Sequence, residues 1–137
     1  MTILIFLAVL VVLILVHEWG HFITAKWTGM RVDEFGIGFP PKLFSWRKGE
    51  TVYSLNALPI GGFVKILGEN GDGDGEVLSV ADQARTFSAR PKWAQAVVLV
   101  AGVTMNILLA WVVLVAILMV GTDVRVGSDS EIGRASC

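Results

Sequence analysis

The chain has 137 residues, 54% of them hydrophobic, and a formal net charge of -1. This is too apolar for an ordinary soluble domain of that size, and the charge gives no case for nucleic acid as a partner. The one cysteine is Cys137, which excludes a disulfide framework and a cysteine-based metal site.

The first element, residues 1–27, is an apolar run from Ile3 to Val16 that continues through His17-Glu18-Trp19-Gly20-His21. A helix needs about 20 residues to cross a bilayer, so the run spans only if the motif itself lies within the membrane. Lys26 and Trp27 then mark the exit interface. No basic stretch precedes the run and no small-residue cleavage site follows it, which argues against a removed signal peptide. Helical positions four apart share a face, so His17 and His21 can point two imidazoles at one metal ion. H-E-x-x-H is the spacing of zinc metalloproteases, with two histidine ligands and Glu18 as general base. The bland alternative is a helix end whose polar groups reach the interface. Ionisable groups inside a span are costly, and both histidines of the chain stand in this motif, so the metal site is the stronger reading.

Residues 28–67 predict strands. Gly36-Ile37-Gly38-Phe39-Pro40-Pro41 breaks any helix, and Lys48-Gly49-Glu50 sits between two strand-like runs as a hairpin turn. Leu58 to Ile66 follows as a further turn and strand. The high apolar content fits a β-element dipping into the membrane interface, where strand pairing would satisfy the backbone. A small soluble sheet on the membrane end is the simpler alternative. Residues 68–92 begin with a Gly/Asp-rich stretch that misses the EF-hand pattern, because Ala81 stands where a bidentate Glu is needed. A flexible linker and a short surface helix are expected there.

Residues 93–120 form a second span. Val98, Gly102, Asn106 and Ala110 share one face, a stripe that lets another helix approach closely and lets Asn106 hydrogen-bond across. Generic helix packing explains the stripe equally well. Residues 121–137 are a polar tail. Nine Lys/Arg stand from Lys26 to Lys92 against two in the tail. The positive-inside rule therefore places the loop 28–92 in the cytoplasm and both ends outside. The fold class is an α-helical membrane protein, with two transmembrane helices joined by a loop that contains a membrane-associated β-hairpin or sheet.

Four stretches together resemble the site-2 protease family of intramembrane zinc metalloproteases, in its bacterial RseP-type branch. They are Val16 to Phe22, Phe35 to Phe44, Leu58 to Lys65, and Arg85 to Ser88 running on to Ala101 through Asn106. The resemblance implies Zn2+ bound by His17 and His21, with Glu18 activating water. It implies a β-region, with Gly61, Gly62 and Phe63, that positions an unwound substrate strand, and an Asn106 close to the active site. Substrates would be single-span membrane proteins, such as anti-sigma factors or signal-peptide remnants, cut in an inner or plasma membrane. The tail would lead toward a PDZ domain. Trp19, Pro40, Gln95 and Val103 depart from the family's usual residues. The third ligand, an Asp in a Leu-Asp-Gly motif, has no counterpart here. A catalytic zinc normally has three protein ligands, so the chain is expected to be a truncated N-terminal core with little activity alone. The rival class is a membrane metal-ion transporter, in which the His pair holds an ion in transit. Such a protein would show polar groups lining several spans.

Overall fold

The computed structural model describes residues 1–69 and 79–121. The Gly/Asp-rich stretch and the tail discussed above lie largely outside them. The order is α1 (Thr2–Trp27), β1 (Val32–Lys48), β2 (Thr51–Ile66), α2 (Val80–Gln83) and α3 (Lys92–Val120). At 1.5 Å per residue the 26 residues of α1 and the 29 of α3 measure about 39 and 43 Å, enough to cross hydrocarbon. Neither helix has an acidic residue in its first turn or a side-chain N-cap. Their sequences instead bury nothing polar at the ends and present apolar side chains outward for most of their length. Leu4, Phe6, Val100, Ile107 and Leu118 are all more than half exposed. In water such surfaces would associate; in lipid they are solvated. Near the end of α1, Thr24 and the C-cap Thr28 donate their hydroxyls to the carbonyls of Gly20 and Thr24, each at 2.8 Å. The helix stops at Thr28 because Gly29 adopts φ +75°.

Small residues decide how the two helices meet. A Cβ added to Gly20 would lie 2.7 Å from the Ala101 carbonyl oxygen, so only glycine permits this approach. The buried core lies at one end of the helix pair. It contains Ala25 of α1, Met30 and Val32 entering β1, Ile66 closing β2, and Ala94 and Val98 of α3.

β1 and β2 form an antiparallel pair closed by Gly49 and Glu50, and both strands bend back on themselves. β1 bends at Gly38 to Pro41, where Gly38 has φ +81° and the Pro40–Pro41 peptide bond is cis. Asn56 holds this bend from within by donating its amide to the Gly38 carbonyl at 2.9 Å. The bend puts β1 residues 34–37 between two parts of β2. Phe35, for example, pairs with Val64 on one side and Tyr53 on the other. The outer half of β1 pairs with residues 51–56, Trp46 opposite Tyr53 and Lys48 opposite Thr51. The expected separate final strand is therefore part of one long β2, bent where Gly61 takes φ +120°. No break occurs because the bend keeps Gly62 to Ile66 in register with β1. The expected surface helix is a single turn, α2. Its Ser79 N-cap accepts a hydrogen bond from the Asp82 backbone N–H.

The sheet stands alongside α1. Its hairpin tip is tied to the helix end: Lys26 donates to Glu50 at 2.6 Å, and Arg85 makes two bonds of 2.8 Å to the same carboxylate. Further back, Gly62 reaches Glu18 and Ile14. From Lys26 to Ile14 is 12 residues of helix, so the sheet descends roughly 18 Å along it. Its far end carries Phe39, Leu43, Phe44, Leu58 and Ile60, all about half exposed or more.

Candidate metal centre

His17 and His21 lie on the face of α1 turned toward α3. Their Nε2 atoms stand 3.2 Å apart. Two nitrogens bound to one zinc ion at about 2.0–2.1 Å in tetrahedral geometry are themselves roughly 3.3 Å apart. The pair therefore has the bite that one zinc ion requires. The second nitrogen of His21 is fixed: Nδ1 lies 2.7 Å from the Val98 carbonyl oxygen. A carbonyl only accepts, so Nδ1 carries the proton and Nε2 keeps its lone pair for a metal. His17 Nδ1 faces the side-chain amide of Asn106 at 3.4 Å.

One turn of space on α3 makes this convergence possible. A Cβ added to Gly102 would meet Nε2 of His21 at 2.4 Å and Nε2 of His17 at 2.6 Å. Val98, Gly102 and Asn106 follow one another at four-residue spacing, so one stripe supplies the acceptor for His21, the clearance for both rings and the neighbour of His17. The role of Gly102 and of the Val98 backbone was not legible beforehand. The stripe was visible, but a small-residue stripe also serves plain helix packing, and nothing in its sequence says which rings lie across it.

Glu18 falls on the neighbouring side of α1, toward the sheet. It lines a cavity of about 320 Å³ together with His21, Gly62, Phe63, Val64, Ile66, Glu69, Val98 and Leu99. This cavity lies between the last part of β2 and the first turns of α3, and both polar and apolar groups face it. Gly62 is required there, since a Cβ would lie 2.8 Å from Glu18 Cγ. Phe63 lines the same cavity. Gly61 is turned away, with Phe39 as its near neighbour, and does not face the cavity. Asn106 faces a histidine ring instead of the cavity. Among the described residues no third His, Cys, Asp or Glu gathers with the His pair. The donor set present thus fits two of the three protein ligands of a zinc site.

The sequence profile of peptidase family M50 matches residues 5–134. The chain belongs to peptidase family M50, the site-2 proteases. A Clostridium perfringens protein provisionally named a zinc metalloprotease is 45% identical over 107 residues, covering 78% of this chain and 30% of its own length. A Fusobacterium nucleatum protein named in the same way is 40% identical over 133 residues, 97% of this chain and 37% of its own. Zinc metalloprotease RasP of Oceanobacillus iheyensis is 49% identical over 69 residues, half of this chain and 16% of its own. The chain thus spans well under half the length of these M50 relatives. M50 membership also accounts for the two apolar helices with a sheet between them. The departure at Trp19 leaves the metal pair untouched, because that side chain is half exposed on the outer face of α1.

Proposed function

We propose that this chain is the zinc-binding part of an intramembrane metalloendopeptidase that cleaves membrane-spanning segments of other membrane proteins. The observation that carries the reading is the 3.2 Å separation of the two Nε2 atoms, with Glu18 and a cavity beside them. His17 and His21 would hold the ion, with a third ligand supplied from outside these residues. When bound, zinc supplies Lewis acidity, which polarises a carbonyl and eases loss of a proton from water. Glu18 takes that proton as the water attacks the scissile carbonyl carbon and returns it to the leaving amine nitrogen. The C–N bond breaks, giving one carboxyl and one amine terminus.

A transmembrane substrate is a helix whose carbonyls are bonded internally, so it must unwind before cleavage. In the described sheet, residues 62–66 pair with β1 on one side, and their other side borders the cavity. A substrate segment added there as a strand would exchange its own helical bonds for sheet bonds beside Glu18. Gly62 and Phe63 belong to that positioning surface. The exposed apolar end of the sheet supports its insertion into the lipid, and the nine basic residues from Lys26 to Lys92 support a cytoplasmic loop in a multi-pass inner or plasma membrane protein. Single-span membrane proteins of the anti-sigma-factor or signal-peptide-remnant type are the proposed substrates. The transporter alternative has no observation in its favour once the family is known.

The decisive experiment uses the full-length protein and a model transmembrane substrate. Glu18→Gln is expected to lose cleavage by at least about a hundredfold, the scale of general acid–base catalysis, while zinc content stays at the wild-type level. Cleavage retained by this variant would remove the role assigned to Glu18.

A further inference from the structure

We propose that Asn106 is a positioning residue for the zinc ligand His17, a role that rests on the metal-site reading above. His17 can ligate through Nε2 only if Nε2 has a free lone pair, and a neutral imidazole then carries its proton on Nδ1. That proton needs an acceptor. Val98 supplies one for His21 through its backbone, but the neighbour of His17 Nδ1 is the Asn106 amide. With its nitrogen toward the ring, Asn106 offers a donor to a donor, and its Oδ1 is left buried without a partner. The oxygen and nitrogen of an amide are assigned by their partners and not by their shape. Turning the amide by 180° puts Oδ1 toward Nδ1–H. The turn relieves the donor-to-donor contact and leaves an N–H2 in the place now held by the orphaned oxygen. The turn leaves only that N–H2 unpartnered, and the protonation demanded by the metal is met.

The arrangement treats the two ligands differently. The acceptor for His21 is main chain and is indifferent to sequence, whereas that for His17 exists only because residue 106 is Asn. Asn106 therefore selects the Nε2 lone pair of His17 and holds the ring over Gly102.

The test uses purified full-length protein with zinc alone as probe. Asn106→Leu is expected to weaken zinc binding by about 10–100-fold, the usual effect of removing a partner from behind a metal-bound histidine. Asn106→Asp keeps an acceptor and is expected to bind zinc at least as tightly as wild type. Ring-nitrogen NMR should show His17 protonated at Nδ1 in wild type and Asn106→Asp, and a tautomer mixture in metal-free Asn106→Leu. A residue that only positions substrate would raise KM and leave zinc affinity alone. Wild-type affinity in Asn106→Leu, or a bare Nδ1 on His17 in the metal-free wild type, would overturn the proposal and leave the metal site standing. The wild-type spectrum decides even if the Leu variant does not fold. Wild-type protein that binds no zinc at all would overturn both readings.

Discussion

At the scale of single residues the site depends on what is missing from α3. Both imidazoles converge on the spot that a side chain at position 102 would fill. In a helix interior Gly→Ala alone favours the helix by roughly 1 kcal/mol, so a loss at this position is due to the site and not to the helix. Gly102→Ala is accordingly expected to keep both helices but to weaken zinc binding at least about tenfold, because neither ring can retreat without losing Val98 or Asn106. Zinc retention against a chelator, alongside circular dichroism, checks it; unchanged retention would mean the rings move freely. The placement of His17 and His21 on one face was legible in the sequence, since helical positions four apart lie one turn above each other. Gly102 was not, since its importance comes from atoms 81 and 85 residues away in the chain.

Elements are held together at the hairpin tip. Arg85 and then Lys26 hydrogen-bond Glu50 and hold its carboxyl down to about 2, from an ordinary value of 4.5. A depressed carboxylate contributes stability above its unfolded value and loses it as pH falls toward the folded one. The tie is therefore complete above about pH 4.5 and released between there and pH 2. Glu34 and Asp82 are also lowered, so the wild type alone would not isolate this contribution. Glu50→Gln is expected to loosen the sheet from α1 already at neutral pH and to flatten its acid response in this window. Trp46 fluorescence during acid titration of the two proteins, with the other four tryptophans of the chain changed to Phe in both, checks this; identical curves would mean the ion pair is too solvent-screened to matter. The hairpin was readable from Lys48-Gly49-Glu50. The folding of each strand onto a second partner was not, because it depends on the bend at Gly38 and the buried Asn56 bond, which join residues 18 apart.

For the molecule as a whole, the question is where the sheet sits relative to the bilayer. Its tip stands at the Lys26 end of α1 and its apolar end lies beside the middle of that helix. After replacing Cys137 with Ser, a cysteine at Lys48 is expected to react with a polar thiol reagent from the cytoplasmic side only. A cysteine at Leu43 should stay unreactive from either side until detergent is added. Rapid labelling at Leu43 in intact membranes would place the sheet in water.

Two apolar helices, a β-region between them and the zinc-binding spacing were determined by the sequence alone. Each depends on local periodicity or composition: a run long enough to span, Gly and Pro that end helices, and two histidines one helical turn apart. What only the tertiary structure decided is how these parts face one another. It set Val98 and Gly102 against the histidines, brought Gly62 to Glu18, and turned Asn106 toward a ring. Those contacts join segments far apart in the chain, and close packing selects them from many arrangements that the same local pattern would allow.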